Sequence, residues 1–190
     1  MSASTRERVF TAAVELIAEQ GYAGTTVEEI AVRAGVAKGT VFYNFGSKEK
    51  LFEELLQAAA GRLLAGFGAA IEGRHGFAAL EALVRDELER AAANTALAQV
   101  LLAELYRTGR PWQATLTRLR ADVARVVEGV IRDAQGRGEM DAGVDAGFAA
   151  GALLGAIVVV ALDWLTYAPE RGIDEVHAAL VRMVRGRLGG

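Results

Sequence analysis

The sequence predicts an all-α protein. Three observations carry this: apolar residues recur at three- and four-residue intervals along most of the 190 residues, capping residues and glycines punctuate those stripes, and no alternating β-branched run bounded by turn residues appears. About nine helices account for the chain, as a three-helix N-terminal head and a longer helical body.

The first helix follows from Ser4-Thr5-Arg6-Glu7, the spacing of a capping box in which the serine oxygen receives the amide three residues on and the glutamate reaches back. It runs from about residue 5 to 20, with Val9, Phe10, Ala13, Leu16 and Ile17 as its apolar stripe and Gly21 as its stop. Thr26 and Glu29 repeat the capping pattern for a short second helix that ends at Ala34. At the Gly35-Val36 turn, glycine accepts a positive φ that a side chain resists. Ala31 is small enough for two helices to cross closely, Val41 fills the space beneath the crossing, and Ile30, Val36 and Phe45 complete a small core. Residues 25–48 therefore read as a helix-turn-helix, the module that lays a short helix in the DNA major groove.

Ser47 caps a long helix that continues through Leu51, Phe52, Leu55, Leu56, Leu63, Leu64 and Phe67 toward Gly73. Further helices are expected at about 76–93, 95–107, 111–136 with Pro111 first, 145–167 and 173–187. The head is assigned to 1–46 and the effector-binding and dimerisation body to 47–190, with 47–72 as the linking helix.

The run Ala146 to Leu162 is uncharged, and its Gly147, Gly151 and Gly155 fall four residues apart on one helix face. It sits at the lower limit of a membrane span, which needs roughly 17 to 25 apolar residues, and it lacks adjacent Lys or Arg anchors. The better reading is a helix buried on nearly every side by its own subunit and a partner. Each helical glycine costs roughly 1 kcal/mol relative to alanine, which close backbone approach across a dimer seam can offset. The expected seam comprises Gly147, Gly151, Gly155 and Val158, with Val176 and Leu180 of the last helix.

Composition narrows the function. The chain has no cysteine, which excludes disulfides and thiolate chemistry and fits a reducing, cytoplasmic setting. A net charge of −3 excludes a uniformly basic nucleic-acid coat, yet residues 30–48 carry Arg33, Lys38 and Lys48 and no carboxylate. The N-terminus lacks the apolar region and cleavage site of a secretory signal, so export is not expected. Ser2, Ser4 and Ser47 are the only serines, none in a nucleophile elbow, and no glycine loop cradles a phosphate. Asp86, Glu87 and Glu104 are read as solvated faces of amphipathic helices, and His75 and His177 lack companions at metal-binding spacing. No catalytic residue, metal or cofactor is expected.

The head resembles the tetracycline-repressor (TetR) family of bacterial regulators over about Thr5 to Leu56. The residues that carry the resemblance are Thr25-Thr26, Ile30-Ala31, Ala34-Gly35-Val36, Lys38-Gly39-Thr40, Phe45, and Ser47-Lys48-Glu49 with Leu51. It implies a homodimer whose heads bind the halves of a palindromic operator, most often as a repressor released by a small ligand held in the body. Carried over by position, it implies DNA contacts from Thr25 and Thr26 at the second helix's start. It implies others from Lys38, Gly39, Thr40, Tyr43 and Asn44 on the recognition helix, and from Lys48 at the fourth. Helix N-termini already favour anions, lysine holds phosphate, and asparagine pairs bidentately with adenine. Phe42 stands where the family usually has tyrosine and Asn44 where histidine is common, so operator sequence stays open.

A ligand pocket is likewise implied, with Phe67, Leu101, Leu105, Tyr106, Trp112, Leu116 and Trp164 as candidate lining for a hydrophobic or aromatic effector. Aromatic and leucine residues at helical spacing are also the ordinary stuff of cores. Two rival readings are a membrane-anchored helical protein using 146–162 as its span, and an architectural DNA binder without a ligand.

Overall fold

A computed structural model describes residues 4–105 and 107–188. Among them there are nine helices and no strand, in the order α1 (Thr5–Gly24), α2 (Val27–Ala34), α3 (Lys38–Phe45), α4 (Lys48–Ile71), α5 (Gly76–Ala93), α6 (Thr95–Leu105), α7 (Gln113–Gly136), α8 (Ala146–Tyr167) and α9 (Ile173–Leu188). The chain divides into two compact units. The first comprises the N-terminal residues through Ala60 together with Ala96–Thr117, and the second comprises Gly61–Thr95 and the chain from Arg118 onward.

In the first unit both expected capping boxes form, Ser4 with Glu7 and Thr26 with Glu29. Gly21 breaks α1 with φ 76° and ψ 161°, and the chain resumes a turn that carries the helix to Gly24. One core cluster joins Val9, Phe10, Ala13, Ile30, Ala31, Val41 and Phe45 to Leu51 and Leu55 of α4, with Val36 packed against it. A second joins Ile17, Tyr22, Phe52 and Leu56 to Val100 of α6 and to Trp112 and Leu116. Leu51, Phe52, Leu55 and Leu56 are all 1 % exposed or less, so successive α4 residues feed both clusters. The expected boundary at residue 46 falls inside this unit, because α4 cannot leave the head without exposing those four side chains. Pro111 does not open α7: Pro111 and Trp112 form a turn in which the Gln113 amide donates to Arg110 O at 3.0 Å.

In the second unit, α5 packs on α8 and α9. No side chain on α5 itself caps that helix. The Gly76 amide donates to the Asp133 carboxylate at 2.7 Å and the Phe77 amide to Glu139 at 2.6 Å, so two acids near the end of α7 satisfy α5's first donors. A Cβ on residue 76 would collide with the Glu139 carboxylate, and φ there is +54°, so this position requires glycine on both counts. Helix α8 has one buried face, Ala146, Ala149, Ala150, Leu153, Ile157 and Ala161. Its other face is open, with Phe148 at 85 % exposure and Val159 at 49 %. Its own subunit thus covers one face of α8 and leaves the other for a partner to cover, and the helix is long and apolar enough, at mean hydropathy 2.2, to cross a membrane by length and composition.

Candidate nucleic-acid interface

The helix-turn-helix is set by Gly35, which adopts φ 65° and ψ 41° at the end of α2. There the Val36 amide donates to Ala31 O at 3.0 Å and the Gly35 amide to Val32 O at 3.1 Å. The left-handed turn aims α3 away from α2's axis while Val41 and Phe45 enter the core, so the remaining face of α3 meets solvent. Tyr43 is 90 % exposed on that face and Phe42 43 %, with Lys38, Gly39 and Asn44 exposed beside them. Phe45 is held between Phe10 at 5.5 Å and the Arg6 guanidinium at 5.0 Å, which fixes the far end of the helix.

Gly39 stands in open space: a Cβ there would meet no heavy atom within 4 Å, and its φ is not positive. The head does not require glycine at this position, since a side chain there would extend into solvent. Thr40 is half-buried, and the Asn44 amide nitrogen donates to its carbonyl at 2.7 Å. That bond leaves Asn44 one N–H and its carbonyl oxygen, the pair that reads adenine.

Each cation of the window already has a protein partner. Arg33 bonds Glu19 at 3.0 Å and Glu15 at 3.3 Å, which holds the Glu19 carboxyl below the usual carboxylate range. Lys38 closes on Glu28 and lies 5.7 Å from the Phe42 ring. Lys48 donates to Tyr22 O at 2.9 Å and Thr25 O at 2.8 Å, with its ammonium 4.2 Å from the Tyr22 ring centre. It straps the start of α4 to the end of α1, and one of its three N–H donors remains. Glu29 receives both the Thr26 hydroxyl and the Thr26 amide at 2.8 Å, and these bonds pull its carboxyl down.

Of the eight residues implied to face DNA, Thr26, Lys38, Gly39, Tyr43 and Asn44 are exposed, and Thr40 and Lys48 are half-buried. Thr25 is a correction. It is 1 % exposed and its hydroxyl donates to Gly21 O at 2.9 Å, so it closes the glycine break in α1 and turns its side chain away from any groove.

The body candidates separate. Trp112 and Leu116 are 1 % exposed in the first unit's second core cluster, with half-buried Leu101 packed against it. Tyr22 and Phe52 meet the Trp112 ring edge-on at 4.4 and 4.6 Å. Burial, with Glu49 nearby, pushes the Tyr22 phenol up to about 12. Leu105 is half-buried, and Tyr106 lies outside the described residues. Phe67 is 1 % exposed in the second unit. There Trp164 is half-buried and satisfies its indole N–H on Arg171 O at 2.9 Å.

Two further readings need correction. Val176 and Leu180 are 6 % and 3 % exposed inside the second unit, so they contribute almost nothing to an outward seam. Glu87 and Glu104 are not solvated: their side chains are 16 % and 4 % exposed, the latter held by Arg107 and Arg110 at 3.5 Å. Among the described residues no three metal-binding side chains gather; His75 lies 3.9 Å from Asp133 and His177 3.0 Å from Glu81 O. Sequence reasoning missed Glu28, because its partner Lys38 lies ten residues away on another helix, beyond any local spacing rule.

Comparison with known proteins agrees with this head. A model described as "Bacterial regulatory proteins, tetR family" matches residues 9–55, and one described as "Tetracyclin repressor-like, C-terminal domain" matches 75–188. An uncharacterized helix-turn-helix regulator of Bacillus subtilis, YvkB, is 44% identical over 52 residues, which span 27% of this chain and 28% of that relative. The fatty acid metabolism regulator protein of the same organism is 26% identical over 159 residues, 83% of this chain and 82% of the relative. The solved structure of the transcriptional regulator FadR from Bacillus subtilis in complex with stearoyl-CoA has a similar fold, with a TM-score of 0.81 at 22% identity over 94% of this chain and 96% of that one. With both halves matched to the two domains of one family, this chain belongs to the TetR family of bacterial transcriptional regulators.

Proposed function

We propose that the protein is a homodimeric repressor that binds a palindromic operator and is released by a small apolar effector. The observation that carries the DNA contact is the solvent-facing side of α3, where Lys38, Gly39, Tyr43 and Asn44 lie together beside a glycine the fold itself does not need. Lys48 adds a phosphate contact at the start of α4 through its remaining N–H, and at the start of α2 the Thr26 hydroxyl and amide reach a phosphate by exchanging the Glu29 carboxylate for it.

The pairing surface is the open face of α8. Phe148, Gly151, Gly155 and Val159 share it, and a Cβ at Gly151 or Gly155 would meet nothing within 4 Å in its own subunit. Gly147 and half-buried Val158 flank it. A shallow groove of about 470 Å³ runs between α8 and α9 past Phe148, Ala152 and Met183, apolar like the face itself. A second α8 crossing at the glycines would cover this surface and remove the reason to place the helix in a membrane.

The effector reading rests on the relatives. One is a fatty acid metabolism regulator, and a regulator of similar fold holds stearoyl-CoA, so long-chain acyl-CoA is the first effector to test. The protein works in the cytoplasm, without cofactor or catalysis. The test is fluorescence anisotropy on a duplex from its own upstream region. Binding should weaken steeply as salt rises, and stearoyl-CoA should release the duplex while free coenzyme A should not. No binding to any upstream duplex would overturn the repressor reading, and release by neither compound would overturn the acyl effector.

A further inference from the structure

Lys38 is the only charged residue in α3, and in the free head its ammonium closes on Glu28, in the first turn of α2. Both side chains are about half exposed, at 51% and 55%, so water and salt reach the pair and it can open. The neighbouring cations are fixed differently. Arg33 is shared between two carboxylates of α1, and Lys48 is tied to two backbone carbonyls. Lys38 is therefore the cation on α3 itself, held by a single exposed carboxylate, and it can change partners without unfolding a helix end.

Resting on the proposed DNA-binding reading, we propose that Glu28 is a specificity-determining residue: it clasps Lys38, so that only a duplex offering the ammonium a well-placed acceptor displaces it. A carboxylate competes for the ammonium in the way a phosphate oxygen does. On unrelated DNA, Lys38 meets poorly placed phosphates, the exchange gains little, and non-specific binding is suppressed. On the operator, guanine O6 and N7 or a fixed phosphate offers a better match than Glu28, and the clasp opens. Glu28 thus acts through Lys38, at a distance from the bases themselves.

The experiment is a double-mutant cycle read by anisotropy on the operator and on an unrelated duplex, using the full chain with Glu28→Gln, Lys38→Met, both, and neither. With Lys38 present, Glu28→Gln should tighten the unrelated duplex about 1.5- to 5-fold, the range expected from opening an exposed ion pair. The operator should tighten less, so the ratio between the two falls. The salt dependence on the unrelated duplex should steepen by up to about one unit of slope. With Lys38→Met in place, Glu28→Gln should change little, because there is nothing left to clasp. An equal gain in both backgrounds would mean that Glu28 merely repels DNA, and no gain in either would mean that the clasp is immaterial; each overturns the inference while the parent still binds DNA. A parent that binds neither duplex overturns the DNA-binding reading and the inference with it.

Discussion

Glu87 is the buried acid whose perturbation the structure quantifies best. Its side chain is 16% exposed, Arg90 approaches only to 3.7 Å, and one carboxylate oxygen has no hydrogen-bond partner among the described residues. Burial outweighs that distant guanidinium, and Asp86 adds repulsion, so the carboxyl is pushed up to about 7 from its ordinary 4.5. The unfolded chain then loses this proton near pH 4.5 while the folded chain keeps it to about 7. Between those values the folded state binds more protons, so the Glu87 contribution is fully present below about 4.5 and is lost as pH rises to 7. At about 1.4 kcal/mol per pH unit the interval from 4.5 to about 7 corresponds to about 3.5 kcal/mol, and imperfect burial reduces it to about 2. Glu87→Gln removes the titration at nearly constant shape. Urea unfolding of parent and variant at one protein concentration, from pH 5 to 8, should show the variant gaining about 2 kcal/mol on the parent across that interval. A difference that stays flat with pH would show that Glu87 is already ionised in the folded chain and refute the reasoning.

Other consequences follow from the head and the open helix. Gly39→Val should fold with an unchanged melting temperature and lose DNA affinity at least tenfold, since space at that position lies only outside the protein; retained affinity would remove Gly39 from the interface. Lys48→Met should destabilise the head by about 2 kcal/mol, because it deletes two charge-assisted bonds to Tyr22 and Thr25 carbonyls, and chemical denaturation checks this. Gly155→Arg should convert the protein to monomer in sedimentation velocity; a surviving dimer would place the seam elsewhere.

Local rules read the fold well where the cause was local. Ser4 with Glu7, Thr26 with Glu29, and Gly35 each set a helix end through bonds spanning a few residues, and each appears where the spacing put it. Pro111 misled because a proline compatible with a helix start is equally compatible with the turn before one. The head's extent was illegible for a different reason: Leu51, Phe52, Leu55 and Leu56 are apolar in either domain, and only the position of α6 and Trp112 shows which core receives them. Within the interface, the exposed side of α3 was legible from the buried Val41 and Phe45. The inward turn of Thr25, the strap from Lys48 and the Glu28 partner of Lys38 all depend on contacts between helices, which no spacing records. Val176 and Leu180 failed because a seam and a core ask for the same residue types.

In the proposed assembly two copies, joined through α8, present the Lys38–Asn44 face of α3 to one duplex. Selection of bound sequences from a random DNA pool tests it most directly. The expected product is an inverted repeat whose half-site centres lie about one helical turn, or a multiple of it, apart. Enrichment of a single unrepeated site, or of no sequence at all, would contradict it.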